Sequence, residues 1–173
     1  FVGIVLCLLL VAGFDPCSYP LAVVFAGLVP FEMMVSEDGS FGYGIEIMVP
    51  AHSSITSPSD IKGKTLAFTS PTSNSGNKAP SALLKSEFGL VKDVDFKTTF
   101  SGKHDNSVLG IANNDYEVAA VANSVLNRMI KRDVIKAEQI RTIYKSQTFP
   151  TTGYGHAHNL DPQLTAKIKQ AFF

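Results

Sequence analysis

Hydrophobic positions fall into a long apolar opening, then an alternation of short apolar runs and helix-spaced stripes. Residues 1–14 (FVGIVLCLLLVAGF) form an unbroken run of apolar residues and glycine. A bilayer crossing takes about 20 residues, so this run is short for one. It has the length of a signal-peptide core but lacks an initiating Met, a basic flank and a clear small-x-small cleavage site. The preferred reading is a core strand of a domain that starts upstream, with a signal-peptide remnant as the alternative. Residues 14–17 (FDPC) make a poor lipoprotein signal. Residues 20–35 are again mostly apolar, with Glu32 the single charge, and read as a core segment. Residues 36–40 (SEDGS) predict a turn, and 41–49 (FGYGIEIMV) a strand.

Farther on, the periodicity switches back and forth. Residues 53–59 are a polar run containing Pro58, read as a crossing between lobes. Residues 65–69 (TLAFT) predict a strand, and 81–88 a helix with Pro80 at its start and Gly89 as its stop. A strand over 95–100 is followed by a helix over 105–114 burying Val108, Leu109, Ile111 and Ala112. An apolar strand over 118–122 leads to a helix with Val125, Leu126, Met129 and Ile130 on one face. Residues 140–144 predict another strand. Asp161 is placed as an N-cap before Pro162, and Leu164, Ile168 and Phe172 recur at helical spacing. Strands separated by helical stripes predict an α/β fold with mainly parallel sheets.

Composition narrows the function classes. The 173 residues suit one domain or two small lobes and are ample for a core. Fifteen basic residues balance fifteen acidic ones, which leaves no net basic footprint for nucleic acid. Two cysteines, Cys7 and Cys17, make neither a disulfide framework nor a cysteine-rich zinc site. The charge is unevenly placed: no Lys or Arg precedes Lys62, so residues 1–61 carry −6 and the remainder +6. This fits either an anion-binding half or, more plainly, basic residues on solvated helix faces.

In parallel α/β sheets, ligands gather at the carboxyl ends of strands, where helices begin. Two junctions have suitable chemistry. Residues 69–76 (TSPTSNSG) set Ser73, Asn74 and Ser75 before a helix, with Gly76 permitting close backbone approach. A helix start adds unpaired N–H groups and partial positive charge for an oxyanion; the alternative is a polar loop that only caps its helix. Residues 101–105 (SGKHD) set His104 just before a candidate N-cap, Asp105. Beside an anion an imidazole gains proton affinity, and a charge-assisted bond is worth about 1.5–3 kcal/mol. Three or four such bonds reach about 8 kcal/mol, a micromolar affinity. The alternative is a capping or surface histidine.

Sharper motifs fail. Gly63-Lys64-Thr65 lacks the upstream glycine of a P-loop, since Pro58 stands there, and a strand follows it. Ser75 lacks the G-x-S-x-G frame of a nucleophile elbow. His156-Ala157-His158 has no neighbouring Cys and no acidic ligand before Asp161. No catalytic dyad, metal site or cofactor site is therefore expected, and no enzymatic activity.

Taken together, these segments resemble the phosphonate-binding proteins of ABC transporters, the PhnD-like group that includes phosphite binders. The resemblance runs from about Gly39 to Phe173. It is carried by DGSFGY, SPSDIKGKTLAF, PTSNSGNKAPSALL, FSGKHDNSVLGIANNDYEVAAVAN and YKSQTFPTTGYGHAHNLDPQLTAKIKQAF. It implies a type II periplasmic-binding fold of two lobes: 1–50 a partial first lobe, 51–150 the second, and 151–173 a return toward the first. It implies that a small phosphorus oxyanion is held by Ser73, Asn74, Ser75 and His104, with the aromatic Tyr43 and with Thr151, Thr152 and Tyr154 lining the cleft. Asn74 stands where the family has Thr, and its amide still donates. Members that bind aminoalkylphosphonates use carboxylates where this chain has Asn123-Ser124 and Pro150-Thr151-Thr152. An ammonium buried without a counter-ion is costly, so the expected ligand is unaminated: phosphite, methylphosphonate or phosphate. Glu117, at a strand entry, is read as structural. The implied partner is a membrane permease, which makes the only membrane contact, and the implied location is the periplasm or the outer face of the cell membrane. The chain is expected to be a fragment lacking both ends of the family's pattern. A ligand-sensing domain of a regulator or receptor kinase is the alternative function.

Overall fold

The computed structural model describes residues 11–14, 19–35, 39 and 41–172. Cys7, Cys17 and most of the 1–14 and 36–40 segments lie outside the described residues. In chain order the elements are β1 (Val11–Phe14), α1 (Tyr19–Ala26), β2 (Leu28–Met33), β3 (Ile45–Pro50), β4 (Thr65–Phe68), α2 (Ala79–Phe88), β5 (Lys97–Phe100), α3 (His104–Ala112), β6 (Val118–Ala122), α4 (Asn123–Lys131), β7 (Ile140–Lys145), β8 (Gly153–Ala157) and α5 (Pro162–Phe172). Contacts divide the chain into two compact units, Phe1–Gly42 with Phe149–Phe173, and Tyr43–Thr148.

In the first unit, β8 lies between β1 and β2 and runs antiparallel to both. Phe31 of β2 meets Phe172 of α5 edge-on, with ring centroids 5.1 Å apart. Residues 20–35 are not the uniformly buried segment their composition predicts. They split at Gly27 into a helix and a strand, and one helix face leaves Leu21, Val24 and Phe25 exposed while Ala22 is buried.

The second unit is a five-stranded sheet in the order β5-β4-β6-β3-β7. β4 pairs parallel with β5 and β6, whereas β3 pairs antiparallel with β6 and β7. Against the expected mainly parallel arrangement, the larger sheet is mixed and the smaller one is antiparallel among the described residues. The reason is shared: a strand from a distant or directly linked segment, β8 or β3, inserts between strands of opposite direction. Such a pairing needs no crossover helix.

Period-two alternation fills both faces of the larger sheet. Leu66, Phe68, Val118, Ala120, Ile47 and Val49 pack on one side with Leu84 of α2. Ala67, Ala119, Val121 and Met48 pack on the other with Val108 and Ile111 of α3 and Leu126 and Met129 of α4. Gly89 ends α2 as predicted, in the left-handed region at φ 67°, where a side chain is strained.

β3 falls in the second unit, where its pairing partners lie, so the contact boundary is at 42/43 and not at the expected 50/51. Likewise the polar run 53–59 lies inside the second unit and is not a crossing between units. Arg141 Nη2 on β7 donates to the carbonyls of Ser53 (2.6 Å) and Ile55 (2.8 Å), and Ile55 is buried. Backbone carbonyls satisfied by a guanidinium hold this stretch against the sheet.

Candidate functional site

The carboxyl ends of β4, β5 and β6 open into α2, α3 and α4. α2 lies on one face of the sheet, and α3 and α4 on the other. Neighbouring strands that send their helices to opposite faces define the crevice where such sheets take ligands.

After β4 the chain enters a π-helical turn, Asn74–Lys78, continuous with α2. Ser73 caps the turn, its Oγ accepting the Gly76 N–H at 3.0 Å. Thr69 donates its N–H to the Gly76 carbonyl at 2.9 Å, and a Cβ on Gly76 would stand 2.0 Å from Thr69 Oγ1. Only glycine allows that approach. Asn77, buried beneath the turn, donates from Nδ2 to the Pro71 carbonyl at 2.7 Å and accepts from Lys92 Nζ at 3.1 Å. The turn is thus fixed from below, and its serines are positioned by main-chain geometry.

After β5, His104 begins α3. Its Nε2 lies 2.9 Å from Ser75 Oγ, and its Nδ1 accepts the main-chain N–H of Ala122 at 3.3 Å. Burial, first, pushes this imidazole below its ordinary pKa; Arg128 adds to the effect and Asp105 opposes it. Tyr43 joins the cluster through its hydroxyl, which accepts from Asn74 Nδ2 at 3.0 Å. Ser73, Asn74, Ser75, His104 and Tyr43 are therefore brought together.

Thr151, Thr152 and Tyr154 belong to the first unit. Thr151 Oγ1 donates to the Met34 carbonyl, and the Thr152 carbonyl accepts the Met34 N–H at 3.1 Å. The Tyr154 ring packs at 5.4 Å from that of Phe172. In the same unit, His156 stacks on Phe31 with its Nδ1 2.9 Å from the Ala157 carbonyl. Glu117 stands at the amino end of the larger sheet, accepting the Thr65 N–H at 3.1 Å and pairing with Lys64 at 3.4 Å.

Two supporting roles were not visible in the sequence, that of Asn123 toward the main chain and that of Asn77. Asn123 opens α4 and holds Gly44 twice: its Oδ1 accepts the Gly44 N–H at 2.9 Å, and its own N–H donates to the Gly44 carbonyl at 2.8 Å. This fixes the main chain beside Tyr43. Asn77 is the other; its signal was an amide in a polar run just before an apolar helix, which is where a buried anchor of a loop would stand.

A sheet of this order, with a reversed strand inserted and polar helix starts gathered at its carboxyl edge, is the fold of type II periplasmic binding proteins. The family model for the phosphonate periplasmic substrate-binding proteins of ABC transporters matches residues 10–173, and the chain belongs to that family. It is 30% identical over 172 residues to the phosphate-import protein PhnD of Mycolicibacterium smegmatis, covering 93% of this chain and 53% of that one. It is 28% identical to the phosphonates-binding periplasmic protein of Escherichia coli, covering 82% of this chain and 43% of that one. The crystal structure of a binding protein component of an ABC phosphonate transporter from Pseudomonas aeruginosa superposes with a TM-score of 0.80 at 25% identity, over 95% of this chain and 56% of that one. The chain thus spans about half the length of the curated relatives it matches. The family is one of transport components, not of enzymes, and its members work in the periplasm or at the outer face of the cell membrane. Among the described residues no helix is long and apolar enough to cross a membrane.

Proposed function

We propose that this chain forms part of the solute-binding component of an ABC importer and captures a small, unaminated phosphorus oxyanion for delivery to a membrane permease. The observation that carries the reading is the convergence of Ser75 Oγ and His104 Nε2 at 2.9 Å, beside the Asn74–Tyr43 bond of 3.0 Å, at the carboxyl edge of a parallel set of strands. Hydroxyl, amide and imidazole N–H groups are the donors that a tetrahedral anion takes, and none of the five residues is a carboxylate that would repel it. On this reading Ser73, Asn74, Ser75, His104 and Tyr43, all of the second unit, bind the anion. No catalytic step is assigned to any of them, and neither nucleic acid nor a cofactor has a role.

The ligand is unaminated because Asn123, at the start of α4, offers an amide whose oxygen already accepts the Gly44 N–H. An ammonium brought there meets, among the described residues, an amide in place of a carboxylate to offset its desolvation. Calorimetry with phosphite, phosphate, methylphosphonate and 2-aminoethylphosphonate tests this. Methylphosphonate is expected to bind at least tenfold more tightly than its amino analogue, a difference of about 1.4 kcal/mol. Tighter binding of 2-aminoethylphosphonate overturns the ligand assignment, and no heat with any of the four overturns the function.

A further inference from the structure

We infer that Lys92 is a positioning residue of the π-helical turn: its ammonium, laid over the rings of Phe68 and Phe100, fixes the amide of Asn77 and through it the Ser73–Ser75 run. This deepens the proposed oxyanion site and rests on that reading for the guest alone. Lys92 stands between α2 and β5 and pairs with Phe96, just before β5 starts. Its side chain reaches the other end of the strands. Nζ lies 5.2 Å from the ring centroid of Phe68 and 5.3 Å from that of Phe100, the last residues of β4 and β5. These two residues are register partners on neighbouring parallel strands, so their side chains leave the sheet on one face. Ring faces attract an ammonium at these distances. Held there, Nζ donates to Asn77 Oδ1 at 3.1 Å.

That contact decides which way the Asn77 amide points. An ammonium only donates, so the atom it meets is the amide oxygen. The NH2 group then faces the other way and donates to the Pro71 carbonyl at 2.7 Å. Ser81 Oγ adds a longer contact to the same oxygen, at 3.5 Å. Turned over, the amide would set its NH2 against the ammonium and its oxygen against the Pro71 carbonyl, so both bonds would be lost to repulsion. Pro71 and Asn77 bracket the Ser73–Ser75 run, and Asn77 is buried, so one oriented amide spans the turn from beneath. The Ser73 cap acts within the turn, on the Gly76 N–H. The lysine ties the same turn to the ends of β4 and β5, and it acts on the guest through Asn77.

Hydrogen exchange of the Asn77 side-chain amide, followed by NMR in the ligand-free full chain, reads the anchor without a guest. Lys92 is half-buried, and Lys92→Met keeps its stem while removing the donor. The amide protons are expected to be protected in the parent and to exchange about tenfold faster in Lys92→Met. Equal protection in the two overturns the inference. Calorimetry with methylphosphonate reads the consequence. Lys92→Met is expected to lose about fivefold in affinity, whereas the same change made in Asn77→Ala should cost less than about twofold, because residues acting as one unit do not add. A parent-like affinity in Lys92→Met overturns the inference. So does the full loss repeated in Asn77→Ala, which would show the ammonium acting without Asn77. If Asn77→Ala does not fold, the exchange measurement on Lys92→Met decides alone. If methylphosphonate, phosphite and phosphate all fail to bind the parent chain, the proposed function fails, while the ligand-free exchange still decides the anchor.

Discussion

The two ends of the parallel strands in the second unit handle charge in opposite ways. At the carboxyl end the clustered side chains are hydroxyls, an amide and an imidazole, held by main-chain caps and by one another. At the amino end, Lys64, His52, Asp115 and Glu117 surround a cavity of about 240 Å³. That cavity brings a lysine and two carboxylates together. Its lysine, however, is already matched by Glu117, whose other oxygen accepts the Thr65 N–H. The helices of the sheet begin at the carboxyl end, so unpaired N–H groups and positive partial charge gather there, beside an Asp105–Arg128 pair whose charges offset each other. Oriented neutral donors, not net charge, separate the two ends.

The comparison is broken most severely by adding one methyl group. Gly76→Ala would set a Cβ 2.0 Å from Thr69 Oγ1 and 2.8 Å from Thr69 Cβ, and Thr69 is buried, so the turn itself must move. The expected cost is about 1–3 kcal/mol of stability, together with loss of measurable oxyanion binding. Thermal melting and calorimetry on the same preparation check both. A variant that melts lower yet binds as before would detach the turn from the site.

Next in size is Ser75→Ala. It removes the hydroxyl that links His104 to the crevice while leaving the Ser73 cap in place. A hydrogen bond to a charged group is worth about 1.5–3 kcal/mol, so affinity for methylphosphonate is expected to fall roughly tenfold to a hundredfold. The melting temperature should hardly change, because the side chain is only half-buried. An affinity within twofold of the parent would move the anion elsewhere.

How much of this was legible in the sequence differs residue by residue. The Ser73–Ser75 run and His104 stood out because each follows a strand, precedes a helix and carries short polar donors in an otherwise apolar pattern. Gly89 and Pro80 marked α2 correctly because their backbone constraints are local. The direction of β3 was not legible: six buried residues read the same in either orientation, and only pairing with β6 and β7 decides it. The run 53–59 looked like a linker because its polarity is real, but its carbonyls are satisfied by Arg141, 86 to 88 residues away. The Ala122 contact to His104 was hidden for a related reason, since it is made by the main chain of an alanine in an apolar strand.

A smaller effect sharpens the amino end. Asp60 Oδ2 accepts from the Thr56 and Ser57 N–H groups, each at 2.9 Å, in the segment leading to β4. These bonds, that from Thr56 first, hold its carboxyl below the ordinary aspartate value. A depressed native pKa contributes stability that is complete above the unfolded value of about 3.9 and is lost as pH falls through the native one. The parent chain should therefore lose melting temperature more steeply than Asp60→Asn in that acid window, while the two bind methylphosphonate alike at neutral pH. Melting curves recorded from pH 7 to pH 3 give the comparison. Parallel curves would mean the carboxylate adds nothing to folding.

The smallest effect is the most discriminating. Lys64 and Glu117 are 3.4 Å apart, with side chains 41% and 50% exposed, so water and salt screen the pair. Exposed pairs contribute about 0–1 kcal/mol, and Lys64→Ala should shift stability by less than about that amount. Glu117→Gln keeps an oxygen for the Thr65 N–H and should cost still less. Neither should alter methylphosphonate affinity, because the cation they adjust sits at the wrong end of the strands. Calorimetry on Lys64→Ala beside Ser75→Ala sets one end against the other. If the lysine variant lost as much affinity as the serine variant, formal charge would govern capture and the assignment to neutral donors at the carboxyl edge would fall.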